Sequence, residues 1–208
     1  MRQLITLLLV LLSTIGYSQE NDTLSYYKEI CFKREFQSDL TMPLRFYKDI
    51  KIYANGDIND ELRNELHKIV SELDELIQTV NISIVDSLKN SNVHIYLGGV
   101  NDFIKQLKTS KEDKKYKKGR LEDNWGYFWI SHCSKNNINY SRVFVDTERT
   151  STDEERKHLL REELTQSLGL PNDSNKYPKS IFYSNWVEDT TEYTDMDKAI
   201  IKRHYSFN

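Results

Sequence analysis

The stretch REELTQSLGLPND, residues 161–173, decides how this chain folds. Leu160, Leu164 and Leu168 recur through it at helical spacing. Gly169 stands where a helix closes on a left-handed residue, and Pro171 prevents continuation. The helix opens at Ser151 or Thr152. Each has a glutamate three residues on, Glu154 or Glu155, as a capping box requires. Asp153, Glu154 and Glu155 also suit the positive end of the helix dipole. At about 100° per residue, His158, Glu162 and Gln166 form a polar ridge, one turn apart, flanked by Glu163 beside Leu159 and Leu160. Neighbouring carboxyls on a partly buried face repel, and one that keeps its proton can exchange it near neutral pH. The alternative is that Glu163 bonds to a neighbouring loop while Glu162 faces solvent.

Outward from that helix, the chain alternates strand and helix signals. Lys51, Ile52 and Tyr53 read as a strand ended by the turn pair Asn55-Gly56. Asn59 is an N-cap, and Leu62, Leu66, Ile69, Leu73 and Leu76 predict a long amphipathic helix over 59–79. Asn81–Val85 and Val93–Leu97 read as strands, the second ended by Gly98-Gly99. Gly126–Ile130 and Arg142–Val145 are two more, the latter apolar enough for burial on both faces. Eight basic residues fall between Lys105 and Arg120; they read as a solvated loop, or else as a patch for anionic partners. A last helix starts at Thr194 with Asp197 as its capping-box acid, and turns Met196, Ala199 and Ile200 inward. This order predicts an α/β or α+β domain with a mixed sheet and helices packed on it.

The N-terminus reads as a signal peptide over 1–19. Arg2 supplies the positive charge, Leu4–Leu12 an uncharged apolar run, and Ser13, Thr14, Gly16 and Ser18 the small and polar residues before a cut after Ser18 or Gln19. The run is shorter than the roughly 20 residues a spanning helix needs. Residues 20–45 show no period and are expected to wrap the surface as an N-terminal extension, with a single domain over 46–208. A net charge of -3 carries no signature of a nucleic-acid partner. Aromatics at 12%, with 13 tyrosines, mark a chain that buries a core. Cys31 and Cys133 either pair in an oxidising compartment or stay as separate thiols. His132-Cys133 reads as incidental, since neighbours in a strand face opposite ways. His67, His94 and His204 read as structural or solvated.

The spacing of Glu162, Glu163, Gln166, Gly169 and Asn172 resembles the metzincin zinc-protease motif HExxHxxGxxH, with Glu163 and the glycine in register. The order of elements also looks like that clan's catalytic domain, with Ser180-Ile181-Phe182 where it has its Met-turn. The resemblance therefore implies a zincin-like fold. EELTQSLGLPNDS (162–174), SIF (180–182) and the helix at 195–205 resemble a family of uncharacterised bacterial exported proteins, domain of unknown function 2927, for which no activity is established.

The departures decide the expected chemistry. All three histidine positions are changed, to Glu162, Gln166 and Asn172, and the Met-turn methionine is absent. Amide oxygens are poor zinc ligands, although harder cations accept them, and Asp173 comes one position late for the third ligand. No standard zinc site and no other cofactor is expected. Two readings remain. In one, a protease-like scaffold in a secreted or periplasmic protein binds an extended peptide or another envelope protein along the Gly126–Ile130 strand, with Trp125, Tyr127 and Trp129 as anchors. In the other, Glu162 and Glu163, with His158, Gln166 or Asp173, hold an oxygen-favouring metal or act as acid and base in a hydrolase. A purely structural role in an envelope assembly is the third possibility.

Overall fold

The structure is a computed structural model that describes residues 21–33, 39–109, 118–133, 136–185 and 190–206. The expected signal segment and much of the lysine-rich stretch lie outside the described residues. Five strands form one sheet in the order β2-β1-β3-β5-β4: β1 (Ile50–Gly56), β2 (Ile82–Ile84), β3 (Val93–Leu97), β4 (Gly126–His132) and β5 (Ile138–Val145). All neighbours run parallel except β4, which pairs antiparallel with β5 and ends the sheet. The mixed α/β architecture is the one the sequence predicts.

Strand alternation sorts the two faces. Ile52, Val93, Ile95, Val143 and Val145 point into the main core. The helices α2 (Asp60–Leu76) and α5 (Asp153–Ser167) cover that side. Tyr96 and Phe144 point the other way and pack with Phe103 and Leu107 of α3 (Val100–Thr109) and Leu121 of α4 (Lys118–Asp123). The helix α3 corrects the expected solvated loop. Phe103 and Leu107, four residues apart and buried, hold it to the sheet despite the surrounding lysines.

The caps fall where the sequence puts them. Asn59 accepts from the Leu62 amide, Thr152 with Glu155 closes the capping box of α5, and Thr194 with Asp197 closes that of α6 (Asp195–Tyr205). Gly169 follows α5 at φ 111°, and a Cβ there would lie 2.0 Å from the Leu44 carbonyl oxygen, so the position admits only glycine.

The N-terminal extension is a correction. Residues 21–32 form a helix, α1, that belongs to the core. Tyr26, Tyr27, Ile30 and Cys31 make one buried stripe. The tyrosine hydroxyls stay satisfied: Tyr26 bonds to Ser180 Oγ at 2.8 Å, and Tyr27 takes a bond from Arg45 at 3.4 Å. His204 sits between α1 and the end of α5, its Nε2 donating to the Leu44 carbonyl at 2.8 Å. Complete burial holds its pKa down at about 3, so it is a neutral core residue. His94 is likewise neutral, depressed to about 3 by burial and the nearby Arg142. His67 is exposed. Cys31 and Cys133 are separate thiols, and burial pushes that of Cys31 up to about 11.

The sequence gives no sign of the buried polar link made by Arg161. It is fully buried on α5 and reaches Glu65 at 2.6 Å and also Glu72, both on α2, with its guanidinium 4.5 Å from the Tyr193 ring centroid. Removing one partner of a buried ion pair leaves an uncompensated charge, which costs about 3–5 kcal/mol. Arg161→Ala should therefore lower unfolding stability by that amount in urea titration, and Arg161→Met, which fills the space but strands Glu65, should recover only part of it.

Candidate binding cleft

Three pieces of chain enclose a cavity of about 410 Å³. The helix α5 gives His158, Leu159, Glu162, Glu163 and Gln166; the edge strand β4 with Asn124 and Trp125 gives the opposite wall; Pro171, Asp173, Tyr183 and Ser184 close one end. The polar ridge and the aromatic strand named from sequence therefore meet in one cleft.

Each polar group has a defined place. His158 is buried, with Nδ1 2.7 Å from the Thr190 carbonyl. A carbonyl only accepts, so Nδ1 carries a hydrogen. Nε2 lies 3.2 Å from Glu162 Oε2, and the pair holds one shared proton or an ion pair. Burial pulls the His158 pKa down, but the hydrogen bond and charge of Glu162, with the Thr190 carbonyl, outweigh it and leave the pKa raised. Gln166 Nε2 donates to Asp173 Oδ1. Glu163 lies under β4: a Cβ on Gly126 would come 2.4 Å from its Oε1, so the glycine makes room for the carboxyl.

Three expected site residues are placed differently. Asn172 is not in the cleft lining; its amide donates to the carbonyls of Glu29 on α1 at 3.2 Å and Asp173 at 2.6 Å. The bend after Gly169 brings Asp173 in instead. Tyr127 and Trp129 border the cleft, but they pack against the cluster on the α3 side of the sheet, Trp129 against Phe103 and Tyr127 against Trp129. The inward strand positions are Gly126, Phe128 and Ile130, as alternation dictates. Trp125, 43% exposed, is the aromatic residue left at the rim. His132, Tyr183 and Ser184 also line the cleft. Sequence reasoning set His132 aside with Cys133 as incidental, and passed over the other two because they lie outside the motif, just beyond the SIF turn.

That turn is held by a buried carboxyl. Asp197 accepts from Ser180 Oγ and the Ile181 amide, while also closing the α6 capping box through Thr194. Burial raises its pKa despite these bonds.

The donor set does not fit the zinc ion that a metzincin motif implies. Glu162 is engaged with His158, Gln166 offers an amide bound to Asp173, and Asn172 turns towards α1. Among the described residues, no group of three or more His, Cys, Asp or Glu side chains is arranged to hold a metal ion.

The His158–Glu162 pair gives stability a pH dependence of definite sign. The folded pKa of His158 lies above its unfolded value of about 6.5, so its contribution is complete below about pH 6.5 and is lost as pH rises through the folded pKa. In urea unfolding at a series of pH values, the wild type should lose stability over that window relative to His158→Gln, and the two curves should run parallel above it.

No curated protein matches the chain. Among the solved structures that align with it are two described as "Structure of Myroilysin" and "Crystal structure of myroilysin". The first is 11% identical, covering 80% of this chain and 83% of that one, with a TM-score of 0.40. The second is 9% identical, covering 80% and 87%, also with a TM-score of 0.40. The family described as "Protein of unknown function (DUF2927)" matches residues 20–207. The chain belongs to the DUF2927 family.

Proposed function

We propose that this protein is a non-catalytic binding module that takes an extended peptide, or an extended segment of another protein, along the edge of β4. The observation that carries the reading is the position of β4: it ends the sheet and forms one wall of the cleft. An edge strand offers unpaired backbone groups that a peptide can match by strand addition. The opposite wall supports binding rather than turnover, because Glu162 is tied to His158 and Gln166 to Asp173. Trp125 at the rim supplies an aromatic contact of the kind that dominates interface energies.

One arrangement favours a second reading, a hydrolase with altered chemistry. Glu163, in the catalytic position of the related motif, lies in the same cleft as the His158–Glu162 pair. Hydrolysis of peptide or ester substrates that Glu163→Gln abolishes would establish it, whereas activity that survives the substitution would remove it.

Export is part of the proposal. The apolar Leu4–Leu12 run would direct the chain to the periplasm or beyond. N-terminal sequencing of protein recovered outside the cytoplasm should begin at Gln19 or Glu20. Calorimetry on the mature protein with alternating Val/Thr peptides tests the binding reading. Binding should vanish when alternate peptide amides are N-methylated, and Trp125→Ala should weaken it by about 1–2 kcal/mol. Absence of binding to every extended peptide would end the proposal.

A further inference from the structure

We propose that Arg149 positions Trp125 for the peptide taken along β4, although Arg149 stands outside the cleft. The inference rests on strand addition at β4 and adds the group that holds its aromatic contact in place. Neither Arg149 nor its partner Asp146 lines the cleft. Both belong to the turn that follows β5, where Asp146 is buried. Asp146 Oδ2 accepts from Arg149 Nε at 2.6 Å. Its Oδ1 accepts from the amides of Glu148 at 3.1 Å and Arg149 at 3.0 Å. A guanidinium held at Nε has its plane fixed, and its two terminal nitrogens are then aimed elsewhere.

They are aimed at the chain that leads into β4. The last turn of a helix leaves carbonyls with no partner inside the helix. Arg149 Nη2 donates to the carbonyls of Leu121 and Asn124, both at 2.7 Å, and Nη1 donates to that of Glu122. The carbonyl of Trp125 accepts from the Asp146 amide at 2.7 Å. Two consecutive carbonyls, those of Asn124 and Trp125, are therefore tied to one turn. The same turn is tied to the opposite wall of the cleft. Arg156, near the start of α5, donates to the Thr150 carbonyl at 2.9 Å and to Thr150 Oγ1 at 3.1 Å, and that hydroxyl donates to the Asp146 carbonyl at 2.9 Å. The rim that carries Trp125 and the helix that faces it are thereby held at one spacing. A lysine has the charge but not the fork, so it cannot serve three carbonyls at once. An aromatic contact whose backbone is already held costs less to order on binding.

The indole N–H resonance of Trp125, identified by its loss in Trp125→Ala, reads the ring directly. In the wild type its nitrogen relaxation should match that of the sheet backbone; an indole that averages freely overturns the proposal without recourse to a variant. In Arg149→Lys, which keeps a cation beside Asp146, and in Arg149→Gln, the indole should become more mobile. Calorimetry of each variant with blocked heptapeptides of alternating Val and Thr should show affinity lowered about threefold to tenfold. Combining either variant with Trp125→Ala should bring no loss beyond that of Trp125→Ala alone. Unchanged affinity in both variants overturns the positioning role. A loss that adds in full to that of Trp125→Ala overturns it too, because Arg149 would then act on the fold at large. Failure of the wild type to bind any such peptide, with the indole ordered, overturns strand pairing itself and with it the role given to Arg149.

Discussion

The guanidinium of Arg161 is fully buried, and the orientation of α5 depends on how it is paired. Its hydrogen bonds can be met only if α5 is rolled so that Arg161 faces Glu65 and Glu72 on α2. Successive residues on a helix differ in direction by about 100°. Fixing Arg161 on one side therefore turns Glu162 and Glu163 towards β4. The same helix is buried on several sides at once, with Leu160 and Leu164 in the core and Glu162, Glu163 and Gln166 at the cleft. An apolar stripe alone would tolerate some rotation, whereas an ion pair out of water does not.

The cleft polar groups satisfy one another to a large extent. His158 anchors to the Thr190 carbonyl and meets Glu162; Gln166 meets Asp173. The loop carrying Asp173 is itself tied to α1 through Asn172 and through the Lys176–Glu29 pair at 2.7 Å. The result is a recess with a preset charge pattern, in which side chains need little reordering to receive a ligand. Such preorganisation lowers the entropic cost of binding.

Much of the fold was legible because its signals are local. Asn59, Thr152 and Thr194 each pair a capping side chain with an apolar run, and all five strands carry β-branched or aromatic residues. Three helices were missed: α4, whose start lies in the lysine-rich stretch, and α1 and α3, for opposite reasons. In α1 the buried stripe is made mostly of tyrosine and cysteine, whose polar atoms draw on distant partners such as Ser180 and His204. In α3 two apolar anchors are outnumbered by exposed lysine and polar residues. Within the site, the α5 residues were readable from helix geometry. The turning of Asn172 away from the cleft was not, since it depends on the path of the chain after Gly169. The buried role of Arg161 was illegible because arginine is ordinarily solvated.

The contacts around His204 have a consequence for how the chain comes into being. Tyr27 near the start, Leu44, the end of α5 at Leu168 and the last helix through His204 and Tyr205 all meet in one knot. Sequence separations there reach 177 residues. A chain still lacking α6 is missing His204 and Tyr205 from this knot, so these contacts form only after residues 195–205 have been made. Long-range closure of this kind slows folding. It binds the first described helix to the last, so neither settles into the core until the other has arrived.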